Sequence, residues 1–402
     1  MNKKAWKILT DANIQQWLEE NLDQDPQTLA FQHRHNEIPW AEVLTQLKYL
    51  QKARFKLPTY YNSRCILPPR AYEQASSERA AQLKQYQGKR CLDLTMGLGV
   101  DSWHFSQRFE EVVSLEPNAE LAAISAYNFQ QMGASGVKIL TQTAESFLKS
   151  YAGPPFDLIY VDPSRRDQHG NRLMDPNAWQ PNLQEILPLM QQHSQTLLLK
   201  LSPLFDWKAA WLEFPGVQRI DIISIDSEVK ELLVEMKGQQ TADSAKRLHL
   251  QILRGEQTFE FSWLLTLPLP PEISTELPQV GHYLYEPDVA FYKARMLDRI
   301  GTLLDQAHLS LGHPQGYLHS PELIADFPGR VMKIRQIWAF QPKALKKALQ
   351  QAGIQGAQVS RRGFALSPTE IRKKLGLTTK GREHLVFTQC GGQRCCFWVE
   401  KG

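Results

Sequence analysis

The residues of this chain best suited to chemistry are two carboxylates that bracket a glycine turn. In the run Cys91-Leu-Asp-Leu-Thr-Met-Gly-Leu-Gly-Val-Asp101, the apolar stretch Cys91 to Leu94 reads as a strand. Gly97 and Gly99 then make a tight turn, and a helix begins at about Ser102. Glycines there let the backbone turn sharply and approach a ligand with no Cβ in the way. A dinucleotide site would aim backbone N–H groups at a pyrophosphate. Asp93, at the strand end, would repel it, and Ser102 stands where the dinucleotide fingerprint has its third glycine. A carboxylate in that position suits a cationic ligand, such as the amino group and sulfonium of S-adenosylmethionine. Asp93, Thr95, Gly97 and Gly99 are therefore expected to hold that cofactor.

In an open parallel sheet the ligand lies beyond the carboxyl ends of the strands, so the later strand ends matter next. The second ends at Glu116, about twenty residues on, which either accepts from both ribose hydroxyls or caps a turn. The third is followed by Thr143 and Ala144, where adenine is normally cupped; the Thr143 hydroxyl either meets adenine or caps a helix. The fourth runs into Asp162-Pro163-Ser164-Arg165-Arg166. Asp162 would lie beside the methyl donor, and Asp162, Pro163, Ser164 and Arg165 form the candidate catalytic loop. Arg166 would bind a substrate phosphate by paired hydrogen bonds. The alternative is a plain Asp-Pro turn with solvated arginines. Lys200, on the fifth strand, either reaches the same pocket or pairs with Asp162.

Those strand ends need a sheet to carry them. From 89 to about 238, strand and helix patterns alternate, which implies a largely parallel sheet covered on both faces. Strands are predicted at Cys91–Leu94, Val112–Leu115, Val137–Leu140, Leu158–Val161, Thr196–Leu201, Ile220–Ile225 and Leu232–Met236. The last two are too close for a helical crossover and must pair antiparallel. The fold class is thus α/β, a Rossmann-type seven-stranded sheet closed by an antiparallel hairpin. Two further strand-like runs are Leu248–Leu253 and Phe259–Leu264.

Residues 1–85 read as a helical region, with an extended loop from Lys56 to Arg70 and a helix from Ser76 or Ser77 to about Gln85. The expected domains are 1–85 helical, 86–267 methyltransferase-like, a small segment 281–330 with a helix at Val289–Leu304, and an α+β domain 331–402. The last has a βαβαββ pattern, with a capping box at Ser367-Pro-Thr-Glu370 and a final hairpin at Gly391-Gly392.

The chain has 402 residues and a net charge of +4 that conceals an asymmetry. Residues 331–402 hold fourteen Lys or Arg against three Glu, a net +11, so the remainder sums to −7. A basic module on an acidic body suggests a polyanion, nucleic acid first, although lysines also simply solvate a surface. Arg372, Lys373 and Lys374 are the candidate contacts. Five cysteines do not make a disulfide framework. Cys390, Cys395 and Cys396 lack zinc-ligand spacing, so no metal is expected. No apolar run approaches the ~18 to 20 residues of a membrane span, and no secretory signal is visible. A cytoplasmic protein with no membrane partner is expected; the oligomeric state is open.

The glycine loop, Glu116, Asp162-Pro-Ser-Arg-Arg166, Glu228-Val-Lys-Glu231-Leu-Leu and Gln74-Ala-Ser-Ser-Glu78 together resemble the bacterial THUMP-like class I methyltransferases. The resemblance covers nearly the whole chain, with Ser164 a mild departure from the usual alanine. It implies a helical N-terminal region, a Rossmann-type methyltransferase, a ferredoxin-like segment at 281–330 and a THUMP-like domain at 331–402. It also implies S-adenosylmethionine as cofactor and RNA, tRNA or rRNA, as substrate. The Asn/Asp-Pro-Pro-aromatic signature of exocyclic-amine enzymes is absent, and no cysteine nucleophile follows Leu201-Ser202-Pro203. Direct transfer near Asp162 is what remains. The competing readings are a noncatalytic RNA-binding protein with a vestigial Rossmann domain and a methyltransferase of a small molecule or protein. Asp93 and Glu116 argue against decay on the expectation that neither serves the fold.

Overall fold

Helix caps and prolines set most of the N-terminal architecture. The computed structural model describes all residues except 1–4, 33–37, 135, 165–177, 238–245, 266–276, 305–309, 312–315 and 402. Asp11 caps the helix Ala12–Glu20 by accepting from the N–H groups of Asn13 and Ile14. The helix Trp40–Lys56 buries Val43, Leu47 and Leu50. The expected loop from Lys56 to Arg70 instead contains two short helices, Pro58–Asn62 and Pro69–Gln74, each with proline in its first turn. Proline starts a helix as readily as it interrupts one, because the first-turn N–H has no intrahelical partner anyway. The helix expected from Ser76 or Ser77 to Gln85 is shorter, Glu78–Gln82 with Ser77 as its cap.

The chain separates into two compact units, residues 1–220 with 231–244 and residues 221–230 with 245–402. In the first, β1 (Gly88–Asp93), β2 (Phe109–Leu115), β3 (Val137–Leu140), β4 (Leu158–Val161) and β5 (Thr196–Leu201) are all parallel. The strands β6 (Val217–Ile225) and β7 (Glu228–Lys237), whose residues are divided between the two units, continue the order as β3-β2-β1-β4-β5-β7-β6, with β7 antiparallel to β5. The sheet has nine strands where seven were expected. Asp226 and Ser227, both at positive φ, make the two-residue turn between them. Strand order reverses between β1 and β4, and the crevice at their carboxyl ends is where such sheets bind ligands. The N-terminal helices share one core with the glycine loop, since Leu98 and Val100 are buried in the same cluster as Leu47, Leu50 and Tyr60.

In the second unit, β8 (Arg247–Arg254) and β9 (Gln257–Leu264) pair antiparallel. A seven-stranded sheet follows, from β10 (Tyr283–Pro287), β11 (Ser310–Leu311), β12 (Leu318–Ser320), β13 (Gly329–Ala339), β14 (Gly356–Arg361), β15 (Thr378–Cys390) and β16 (Gln393–Lys401). Its order is β11-β12-β10-β13-β16-β15-β14, so one sheet runs through the boundary expected at 330. The helix expected at Val289–Leu304 is broken. It spans Val289–Ala294, ends at Arg295 in the left-handed conformation, and resumes at Leu297–Arg299 and Ile300–Leu303. The bend lets Phe291, Ala294, Met296, Leu297 and Ile300 all be buried, which a straight helix would not. The capping box forms as expected, with Ser367 and Glu370 each accepting from the other's N–H. The sheet has a core on each face: Phe387 and Cys396 on one, Val386, Phe397 and Cys390 on the other.

Candidate active site

Asp93 ends β1 with its side chain almost wholly enclosed, 1 % exposed. One oxygen accepts from the Thr95 N–H at 2.9 Å and the other from the Ser102 hydroxyl at 2.5 Å. Burial pushes its pKa up to about 7 against the lowering effect of those bonds, with Asp101 and Asp162 raising it further. Gly97 and Gly99 follow at positive φ, where a side chain would be strained. A Cβ on Gly99 would also strike Phe129 at 2.5 Å, whereas the space beside Gly97 is open. The sharp turn is therefore packed on one side and clear on the other.

Glu116, just past β2, accepts from the Gly97 N–H at 3.1 Å and the Asn118 N–H at 2.8 Å. Burial raises its pKa. The expectation that neither carboxylate serves the fold is not met: Asp93 ties β1 to the loop and the next helix, and Glu116 ties β2 to the loop. Each carboxylate oxygen has a second lone pair, but Asp93 is enclosed and only Glu116 keeps some exposure, 8 %. Thr143 is the N-cap of the helix Ala144–Ser150, accepting from the Ser146 N–H at 3.2 Å; Ala144 is buried behind it.

Asp162 lies directly across the crevice. Its N–H donates to the Thr95 hydroxyl at 2.7 Å, which joins the glycine loop to the end of β4. Its carboxylate accepts from Lys200 Nζ at 2.6 Å. Pro163 is buried and Ser164 is exposed, with its backbone paired to that of Gln180. Arg165 and Arg166 lie outside the described residues.

Lys200 does not stand alone. It also donates to Ser76 Oγ at 2.8 Å and lies 3.7 Å from Glu231. Ser76 donates to Asp101 Oδ2, which also accepts from the Tyr160 hydroxyl. Lys84, with its side chain fully enclosed, sits 2.9 Å from Asp101 and 2.5 Å from Glu231. Burial disfavours the charge on Lys200, but Asp162, Glu231 and Asp101 outweigh it and its pKa is raised. Lys84 is raised for the same reasons, by Asp101 and Glu231. Asp101 is held well below the ordinary carboxylate range, burial being overcome by Lys84 and Lys200. Two lysines and three carboxylates thus form one enclosed charge network whose open end is Asp162, with 35 % of its side chain exposed.

Arg372, Lys373 and Lys374 fall in the last turn of the helix Pro368–Leu375, far along the chain in the second unit. Lys373 and Lys374 are exposed and Arg372 half-buried. No group of three or more His, Cys, Asp or Glu among the described residues could hold a metal. No described helix is long and apolar enough to cross a membrane.

Comparison with known proteins agrees with this architecture. Residues 329–401 match the family model described as THUMP domain-like. An uncharacterised S-adenosylmethionine-dependent methyltransferase of Mycobacterium tuberculosis is 22% identical over 366 residues, 89% of this chain and 94% of that one. The crystal structure of a putative methyltransferase from Porphyromonas gingivalis superposes with a TM-score of 0.78 at 26% identity, covering 97% of this chain and 98% of that one. Residues 329–401 resemble a THUMP-like domain, and nearly the whole chain is similar to S-adenosylmethionine-dependent methyltransferases. An uncharacterised protein of Methanocaldococcus jannaschii is 33% identical over 86 residues, 21% of this chain, and the match spans only 30% of its own length.

Sequence reasoning missed Lys84, Asp101 and Tyr160 as partners of the site. Their signal was present: Lys84 and Asp101 are charged residues beside apolar runs that become buried, and such residues are rarely enclosed unless paired. The Gln74-Ala-Ser-Ser-Glu78 stretch has a physical role at three of its polar positions. Ser76 joins the network, Ser77 caps its helix, and Glu78 accepts from Thr59 and Tyr60 at the start of Pro58–Asn62.

Proposed function

We propose that this chain is an S-adenosylmethionine-dependent methyltransferase that methylates RNA by direct transfer beside Asp162. The observation that carries this is the convergence, at the switch point of the sheet, of the Gly97–Gly99 turn, Glu116 and Asp162. The open side of Gly97 leaves room for the methionine part of the cofactor. Glu116 has lone pairs free for the ribose hydroxyls. Asp93 acts mainly by shaping the loop. When bound, the cofactor supplies an electrophilic methyl group. Asp162 then orients the acceptor or takes its proton, while Lys200 holds that carboxylate in place. Thr143 and Ala144 border the adenine end, and Pro163, Ser164 and Arg165 complete the acceptor loop. Arg166, the half-buried Arg372 and the exposed Lys373 and Lys374 would neutralise RNA phosphates. A cytoplasmic location fits this reading.

The test uses total RNA from cells lacking the gene, the full-length protein and methyl-labelled cofactor. Label should appear in one nucleoside with the wild type and fall by about 10²- to 10⁴-fold with Asp162→Asn. Calorimetry should show cofactor binding by both proteins. Cofactor binding without labelled nucleoside would move the substrate away from RNA; no binding would remove the enzyme reading.

A further inference from the structure

The second unit's sheet carries an aromatic surface that the reading above leaves unused. Trp338 on β13 and Trp398 on β16 sit on one face of the sheet, because Gln336 is opposite Trp398 and Trp338 opposite Cys396. Their rings are nearly parallel, 8° apart, with centroids separated by 6.3 Å. Both are half-buried against the Phe340, Leu385 and Cys396 core and half open. The Arg335 guanidinium lies over Trp398 at 5.8 Å. On the neighbouring strand β10, the half-buried Tyr283 is paired with Lys333, whose ammonium lies 5.7 Å over the ring. Three aromatic rings and two exposed cations therefore share one patch.

Two carboxylates face the same patch, and each is already committed. Glu383 accepts from Trp398 Nε1 at 2.6 Å, and Glu400 is paired with Arg335 at 2.8 Å. The Glu383 bond fixes the Trp398 ring rather than repelling a ligand from its face. The surrounding sequence, 331–402, carries a net +11. Buried core aromatics would need no cations above them, and a purely electrostatic phosphate surface would need no open indoles. Open rings interleaved with cations are what unpaired nucleobases require: stacking on the ring faces and phosphate neutralisation beside them.

We infer that Trp338, Trp398 and Tyr283 form a stacking platform for an unpaired stretch of RNA, with Lys333 and Arg335 at its phosphates. This rests on the proposal that RNA is the substrate and specifies which part of it this unit grips. The platform selects single strands, since paired bases present no open face.

The experiment measures binding of a 12-nucleotide oligouridylate and a 12-base-pair RNA duplex to the full-length protein. The wild type should prefer the single strand. The Trp338→Leu/Trp398→Leu variant should lose about ten- to hundredfold in single-strand affinity, with duplex affinity unchanged. Trp338→Phe/Trp398→Phe keeps the rings and should restore most of the loss, which separates stacking from a folding defect. Tyr283→Leu, at the margin of the sheet, should give a smaller loss of the same kind. Equal binding of both RNAs with no response to the leucine substitutions would overturn the platform while leaving RNA as substrate. Binding of neither RNA would overturn both, and cofactor calorimetry on the same sample would show whether the enzyme reading survives.

Discussion

The two ends of this molecule use the same residue types in opposite ways. Around the crevice of the first sheet, Lys84 and Lys200 are enclosed and matched to Asp101, Glu231 and Asp162. In the C-terminal module, Lys373 and Lys374 stand in solvent on a short amphipathic helix. Enclosed charges are screened weakly and hold geometry; exposed ones are screened strongly and are the kind the proposed RNA contact requires. Lysine count therefore says little about function until burial is known.

The comparison breaks most readily at Lys84. Lys84→Met should cost about 3–5 kcal/mol of stability, because it leaves Asp101 and Glu231 enclosed with less compensation. Urea denaturation checks this, and a midpoint equal to wild type would mean the network does not hold the fold. Asp93 offers a smaller effect with a distinctive pH signature. Its folded pKa is raised to about 7 from an ordinary 3.8, so the stability from its neutral form is full below that ordinary value. That stability is lost as pH rises through 7. Asp93→Asn keeps the neutral form at every pH. Its stability relative to wild type should climb between about pH 4 and 7, by up to about 1.4 kcal/mol per unit, then level off. A difference that stays flat would mean the enclosed carboxylate carries no such penalty. The smallest effect on stability belongs to Arg372→Gln/Lys373→Gln/Lys374→Gln, within about 0.5 kcal/mol of wild type. The same variant should reduce the slope of log RNA affinity against log salt by roughly 2 to 3. A stability loss like that of Lys84→Met would erase the distinction between the two ends.

The sheet was legible because apolar runs with short intervals leave few arrangements. All seven strands expected between 89 and 238 form, including the antiparallel pair that the short Asp226–Ser227 turn enforces, although β8 and β9 carry the sheet on past it. The glycine turn was legible because only positive φ explains two glycines at that spacing. What the sequence hid was long-range pairing. Nothing local to Lys84 says that it will meet Asp101, seventeen positions on, and Glu231, on a strand that arrives much later. Helix starts at Pro58 and Pro69 were hidden for another reason, since proline marks both a beginning and an interruption. The bend at Arg295 was invisible because its cause is the burial of several apolar side chains on one side.

The Tyr60 hydroxyl donates to the Leu98 carbonyl, so the N-terminal helices brace the very turn beside which the methyl donor is proposed to lie. Excision of a minimal catalytic fragment at residue 86 would discard that brace along with Ser76 and Lys84. The helical region is thus a structural wall of the proposed site, and grafting the Rossmann core alone onto an unrelated domain should yield an inert, aggregation-prone protein.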